Sequence, residues 1–542
     1  MSAIVDVNGN PMRPRASSYA QHAGADLVSK ELSGWWPSLM SADGAWKEER
    51  EILQARSEDA FRNSGHLTGV KQLLADNIIG ADFLLAAKPD HKALGITSEA
   101  AQEWAREVQS EWGCYAYDID SHIDTTMHFQ LPGLVTQAFL SNLVSYEIVA
   151  LADWLPNRGG KYATAIQNMD PARLSTPDDR TDDERLRMGV QKDARGAPRR
   201  YWFASNLAGD PLRFGGSKRW RSVPKYTRWG RRLVFHTFEP DKVGASRGRG
   251  GMVSILKNVK STEKLSDAHL QASVLNAALS AVIHSSYDWK AVSEALGSLP
   301  PDATAEQRAA NDPVNNYLGG VLEWYERGNM KYNGANVTHL YPGEELELKS
   351  SEHPSANFAD FKEVYDRELA AAFNMSYSQY SRDFTKTNYS SMRASQLDSF
   401  LMYTGRRKIL LTPYARWIYS LWLEEAMDKG TVPTPAGAPS FWEAKTAYTK
   451  CEFRGPARGH IDPVKGVNAM ERRLALGVTN LEKEAAEEGT DWRDNMDQRL
   501  STIKYAQELA AAAGDGVEWR DLVPGAAKEA AEVPQQVELA DD

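Results

Sequence analysis

The stretch "SRDFTKTNYSSMRAS" occupies Ser381–Ser395. It has no Gly and no Pro, is rich in hydroxyls and amides, and carries Arg382, Lys386 and Arg393. It reads as a polar loop that turns into a helix. The pair Lys386-Thr387 echoes the Lys-Ser/Thr of a phosphate-binding ATPase loop. That loop needs glycines so that backbone N–H groups can approach the phosphates. None is present, and the ATPase reading fails. What this segment touches is decided by the chain on either side of it.

Immediately upstream, "NFADFKEVYDRELAAAFNM" has helical spacing from Asn357 to Met375. Downstream, residues 388–430 read as one long helix interrupted at Pro413. A proline there removes a hydrogen bond and crowds the preceding turn, so a kink is expected. Further upstream, Met252–Ser286 reads as a second long helix, which at 1.5 Å per residue would span roughly 50 Å. Helices of that length usually pack against copies of themselves or form a wall. Between the two lies an irregular stretch with Pro300-Pro301, a polar helix through Tyr325 and a strand pair near "VTHLYPGEELELKS".

The N-terminal half begins with an aperiodic stretch containing Pro11 and Pro14. Three amphipathic helices follow, within residues 46–65, 70–80 and 98–116. A β-rich region comes next, rich in β-branched and aromatic residues: "YEIVALADWL", "KYATAIQNMDPARLST", "RYWFASN" and "RLVFHTFEP". The C-terminal part reads as helices from Pro463 to Gly477, Asn480 to Gly489 and Trp492 to Ala513. No internal repeat is visible.

The chain has 542 residues and a net charge of −10. That length predicts about three or four domains. Cys114 and Cys451 are the only cysteines, so the fold does not rest on disulfides and a reducing cytoplasm is expected. The start has no apolar core of a signal peptide, and no apolar run approaches about 18 residues. The acidic balance argues against an ordinary DNA-binding domain. Charge is uneven, however: residues 195–260 hold sixteen Lys/Arg against three Asp/Glu.

Candidate chemistry is sparse. "YDIDSHID" would put Asp118, Asp120, His122 and Asp124 on one face of a strand. As a calcium loop it fails, because Ile123 and Phe129 stand where Gly and Glu are required. A structural or solvent-facing strand is the better reading. "GASRGRGG", Gly244–Gly251, sits between strand and helix but has Val253 where a dinucleotide fingerprint needs its third glycine. It reads as a tight turn, with Arg247 and Arg249 as candidates for anion contact at the helix start. His236 reads as a satisfied residue in an apolar strand. No catalytic residue, metal site or cofactor is expected.

Taken together, these blocks resemble the lambda-type portal proteins of tailed bacteriophages. "DFTKTNYSSMRAS" is similar to that family's Asp-Tyr-Ser-Lys-Thr-Asn-Tyr-Ser-Ser-Ala-Arg signature, with Phe384, Thr385 and Met392 as departures. "NIIGADFLL" resembles its N-terminal glycine block, with Asp82 in place of the second glycine. "NMDPARLSTP" resembles its Asp-Pro-x-Arg-Leu block through Asp170, Pro171, Arg173 and Leu174. "VFHTFEPDKVGASRGRGGMVSIL" resembles its stem junction through His236, Phe238, Glu239, Gly244, Arg247 and Gly248. "YPGEELELKSSEHPSANFADF", "IDPVKGVNA" and "GTDWRDNMDQ" resemble further blocks in the family's order. The resemblance spans roughly residues 45–512.

The resemblance implies an α+β, mainly helical portal fold with wing, stem, clip and crown, assembled as a ring of twelve around a DNA channel. Mapped onto this chain, it gives a flexible arm at 1–30 and a wing at 31–251. The first stem helix would be 252–286, the clip 287–352 and the second stem helix 353–375. A channel loop would follow at 376–391, then a kinked helix at 392–430, a crown at 431–513 and a disordered acidic tail at 514–542. Arg382, Thr385, Lys386, Thr387, Asn388, Tyr389, Ser390 and Arg393 would face sliding double-stranded DNA without reading its sequence. His236, Glu239, Gly244, Arg247 and Gly248 would shape the stem junction. The implied partners are further copies of the chain, the terminase large subunit, head–tail adaptors, the major capsid protein and a scaffolding protein, with no membrane. The implied place is the virion's portal vertex, after assembly in the host cytoplasm. The alternatives are a metal-dependent nuclease or packaging enzyme built on residues 118–124, or another head structural protein.

Overall fold

The computed structural model describes residues 22–25, 30, 32, 34–207, 219–239, 241–278, 282–285, 304, 319–320, 322–323, 329–332, 335–338, 344–347, 358–385, 387–456, 463–513 and 517–523. The chain divides into two units, residues 1–253 with 388–542, and residues 254–387.

The first unit is built around helix Leu131–Ser145. Leu131, Leu134, Val135, Ala138, Phe139 and Leu143 are all buried. The sequence reading passed over this helix because it is apolar on nearly every face and so lacks an amphipathic period. Pro132 in its first turn costs no hydrogen bond there. A three-stranded antiparallel sheet lies beside it, with Ile148–Trp154 between Thr164–Asn168 and Val234–Thr237. A four-stranded antiparallel sheet runs Leu186–Arg187, Val190–Lys192, Pro198–Ala204, Trp220–Pro224 in spatial order. Val149, Leu151, Leu174, Tyr201, Phe203 and Val234 fill one core with alternate strand residues from both sheets.

Helix Thr412–Asp428 brings a second core. Its Tyr419 and Trp422 pack edge-on against Trp112, with ring centroids at 5.6 and 5.2 Å. Pro413 is accommodated without breaking the helical run. A π-helical turn, Arg407–Leu411, precedes it, and the wider turn absorbs the missing donor. Strand Cys451–Arg454 pairs antiparallel with Leu84–Ala87. Trp104 Nε1 donates to the Pro433 carbonyl at 2.9 Å. Residue 431, expected to open the crown, is therefore no packing boundary, because residues 432–454 belong to the same core as residues 84–112.

In the second unit, helix Leu256–Ala278 pairs with helix Phe358–Ala372. Asn258 donates to Glu368 at 3.3 Å, and His269 stacks on Phe358 at 3.7 Å. Ascending numbers on one helix meet descending numbers on the other, so the pair is antiparallel. Val282–Ser285 pairs antiparallel with Glu344–Glu347, and Asn329–Tyr332 pairs with Ala335–Thr338.

Several expectations change here. The helix expected over 252–286 begins as a 3-10 turn at Gly251–Ser254 and continues as helix Leu256–Ala278, about 35 Å over its 23 described residues. Residues 282–285 are strand, which suits β-branched Val282 and Ile283. The expected loop at 376–391 contains helix Tyr377–Ser381, closed by a Ser376–Gln379 capping box, and the next helix starts at Tyr389. The strand expected at 118–124 is a set of turns. The tail expected to be disordered holds helix Trp519–Leu522, with Val523 buried behind it. Residues 1–21, 524–542 and most of 287–352 lie outside the described residues.

Candidate functional site: a buried ionic junction and the signature segment

Three of the residues read as the stem junction, His236, Arg247 and Gly248, converge on one buried carboxylate, Glu147. Arg50 Nη2 donates to Oε1 at 2.7 Å, and Arg247 Nε lies 2.9 Å from both oxygens. Arg247 Nη2 donates to Oε1 as well. His236 Nε2 donates to Oε2 at 2.9 Å, and the Gly248 N–H reaches it at 3.3 Å. Glu147 and Arg247 have no exposed side-chain surface.

Arg247 spends its remaining donors on backbone. It donates to the carbonyls of Leu174, Met188 and Pro171, the last two at 2.8 Å. One guanidinium thus ties together the Asp-Pro-x-Arg-Leu turn, the turn before strand Val190–Lys192 and the turn that carries Glu147 into strand Ile148–Trp154. This corrects its reading as an anion contact at that helix start. Arg249 is half-exposed, 3.8 Å from Asp241.

Two glycines make the junction possible in different ways. A Cβ on Gly248 would stand 2.1 Å from the Tyr146 carbonyl oxygen. Gly244 has φ +87° and open space around it, so it serves a left-handed turn. Glu239 binds Arg406 at 3.2 Å, which links the junction to helix Tyr389–Arg406. The sequence reading missed Glu147 and Arg50. The signal was a single carboxylate in the apolar run "VSYEIVA", since a buried charge must be paired.

Burial alone would raise the Glu147 carboxyl, but the Arg247 and Arg50 guanidiniums and the His236 bond hold it well below the usual carboxylate range. Burial and the nearby Arg247 pull Arg50 down to about 10. Burial also lowers His236, outweighing its bond to Glu147. In the acid range the depressed Glu147 and His236 make the unfolded chain bind more protons, so their contribution to stability falls with acidity. The His236 share is present above its unfolded value of 6.5 and is lost as pH falls through its folded value. The Glu147 share starts to go only below 4.5, its unfolded value. Between pH 7 and 5 the urea midpoint of the native chain should therefore fall more steeply than that of His236→Asn, while His122, raised by its bond to Asp118, acts in the opposite sense in both.

The signature segment is organised by its own side chains. Arg382 is exposed, with φ +60°, at the C-cap of helix Tyr377–Ser381. Asp383 accepts from the Thr385 N–H at 2.9 Å and hydroxyl at 2.6 Å, and the Thr387 hydroxyl donates to the Phe384 carbonyl at 2.7 Å. Asn388 caps the next helix through Ser391 N–H at 2.8 Å. Tyr389, Ser390 and Arg393 are exposed on its first turns. Lys386 lies outside the described residues. Residues 382–387 fall in the second unit and 388–393 in the first.

Of the acidic residues at 118–124, Asp118, Asp120 and His122 bring ligand atoms within 4.8 Å of one another. Asp118 is committed to His122, accepting from its N–H at 3.1 Å and lying 2.5 Å from Nδ1. Asp124 is buried apart from them and caps a loop through Thr126, His128 and Phe129. These are the bonds of a structural turn. Among the described residues no helix is long and apolar enough to cross a membrane.

The family profile described as "Phage portal protein, lambda family" matches residues 29–407, a span that includes the whole Glu147 junction. The chain belongs to that family. This portal chain is 28% identical over 505 residues to the portal protein of Escherichia phage N15, covering 92% of this chain and 93% of the relative. Portal protein B of Escherichia phage lambda gives the same identity and coverage. Among solved structures, a chain from the neck of an empty gene transfer agent particle is 14% identical, with a TM-score of 0.43 over 82% of this portal chain and 94% of that one.

Proposed function

We propose that twelve copies of this portal chain close into a ring at one vertex of a phage head, and that double-stranded DNA enters and leaves through the opening. Beyond family membership, one observation carries this reading. In the helix pair of the second unit, Leu270 and Val274 are 64% and 60% exposed, and Phe361 and Val364 are 49% and 56% exposed. Spacings of four and three residues place each couple on one helix face. Apolar rows of this kind call for a partner surface. A neighbouring copy supplies one at every step of a rotation axis. Helix Trp492–Ala513 adds to this, since only its Ala506 is buried among 22 described residues.

Light scattering of the purified chain should give a particle of roughly 720 kDa, twelve times the 60.3 kDa protomer. Leu270→Asp with Val274→Asp should reduce it to protomers. A stable 60.3 kDa species from the native chain would overturn the ring.

The signature segment is the surface we assign to the duplex. Arg382, Lys386 and Arg393 supply scattered positive charge, and Asn388, Tyr389 and Ser390 supply amide and hydroxyl groups. The Thr385 and Thr387 hydroxyls are spent on local bonds, so these residues set the loop's shape. A conduit must not grip, because each neutralised phosphate adds salt-dependent affinity. A ring with net charge on the order of −100 repels a bound duplex and favours sliding. Lys386→Glu should leave the ring mass unchanged and cut DNA packaged in vitro several-fold. Unchanged packaging would remove this segment from the channel.

On this reading the protein is a virion component whose work is mechanical, with no catalytic step. It assembles in the host cytoplasm, docks the terminase large subunit and then the head–tail adaptors, and meets the major capsid and scaffolding proteins.

A further inference from the structure

The first unit carries a groove that the ring reading does not use. It has a volume of about 860 Å³ and is walled by Trp154, Trp229 and Trp442. Trp154, Trp229 and Trp442 are partly exposed, so the groove presents aromatic faces outward. Four carboxylates line it: Asp153, Glu424, Glu425 and Asp428. Two are already committed. Glu424 accepts from Arg231 Nη1 at 3.0 Å. Glu425 accepts from the Ala163 and Thr164 N–H groups at 2.7 and 2.9 Å and pairs with Lys429 at 2.7 Å. Asp153 has only a loose contact, 3.9 Å, with the largely exposed Arg221. The walls already take cations on their faces: Arg231 lies 5.4 Å from the Trp154 ring centre and Lys445 lies 4.7 Å from that of Trp442.

Tryptophan-walled grooves with carboxylates at the edge suit one kind of ligand well. A proline-rich segment in polyproline II geometry sets its rings between the indoles, and a flanking arginine meets the carboxylates. The N-terminal arm of this chain contains such a segment, Pro11-Met12-Arg13-Pro14-Arg15. Its prolines are three apart, one polyproline II turn, and its two arginines match Asp153 and Asp428 in number. The twenty residues from Pro14 to Gly34 can span up to roughly 66 Å when extended, so reach does not restrict the pairing.

We infer that the Pro11–Arg15 segment of this chain docks in the Trp154–Trp229–Trp442 groove, its arginines meeting Asp153 and Asp428. The competing occupant is the exposed apolar stretch Trp35–Met40, in which Leu39 is fully exposed. It carries no cation to meet the carboxylates.

The test uses the full-length protein with a photo-crosslinking phenylalanine analogue at Met12, and a second preparation with it at Leu39. Cross-linked peptides are mapped by mass spectrometry. The Met12 probe should label peptides containing Trp229 or Trp442. Arg13→Glu with Arg15→Glu should lower that yield about tenfold, the size expected for two reversed ion pairs at a groove edge. Asp153→Arg with Asp428→Arg should lower it similarly, and combining both sets should restore it. The arm variants leave the groove's own residues untouched, so a folding defect in the groove variants does not void the test. Mixing ¹⁴N- and ¹⁵N-labelled copies tells whether the arm comes from the same chain or a neighbour, and either source supports the assignment. Labelling elsewhere, a yield indifferent to the arm's charge, or groove labelling from Leu39 instead of Met12 overturns it. The readout needs no ring, so failure of the ring reading is registered separately by particle mass.

Discussion

Replacing Glu147 with Gln should lower the unfolding free energy by about 3–5 kcal/mol, the range for removing one partner of a buried ion pair. The reason lies in what remains. Arg50 and Arg247 stay buried, with side chains 6% and 0% exposed, and lose the counter-charge they share. Gln can still accept hydrogen bonds, so the loss measures charge more than hydrogen-bond count. Urea unfolding at fixed protomer concentration reads the effect, since any assembly makes stability depend on concentration. Arg50→Met with Arg247→Met in the Glu147→Gln background should recover part of the loss, because it removes the unpaired cations. A drop below about 1 kcal/mol for Glu147→Gln would place the cluster outside the set of groups that hold this junction together.

Gly248→Ala should cost about 3 kcal/mol, the upper end for overpacking a core. Its new methyl would meet backbone, the Tyr146 carbonyl oxygen at 2.1 Å, with the Phe238 Cβ at 2.7 Å. Tyr146 cannot yield easily. It is itself held at φ +75° as the C-cap of helix Leu131–Ser145, directly before Glu147. Any shift would also stretch the 3.3 Å bond from Gly248 N–H to Glu147. The two effects are coupled, so Gly248→Ala and Glu147→Gln together should cost less than their sum. Gly244→Ala is the matched control. It has the left-handed backbone but no neighbour within 4 Å, so strain alone should cost about 1 kcal/mol. Equal midpoints for the two alanine variants would mean that close packing at Gly248 is not what the position requires.

The candidate site was half legible. His236, Arg247 and Gly248 stand in a recognisable order along the chain, and the structure brings all three to one carboxylate. Glu147 and Arg50 were not singled out, because each sits in a segment whose pattern fits an ordinary strand or helix. Nothing local marks a lone Glu as the centre of a network whose partners lie 97 and 100 positions away. The signature segment was legible as polar and helix-initiating. That the Thr385 and Thr387 hydroxyls turn back onto the chain was not.

The sequence alone determined the family blocks and their order, the amphipathic helices of the N-terminal region and the start of the helix after Asn388. These rest on short-range rules of side-chain spacing and capping, which act within a few residues. Only the tertiary structure decided that residues 432–454 join the core around Trp104 and Trp112, and that Pro413 is absorbed by a π turn. It alone made residues 282–285 a strand where helix was expected, and gathered three separate segments onto Glu147. Those outcomes depend on burying charge and apolar surface against partners far along the chain, and desolvation is a property of the assembled core that no local window contains.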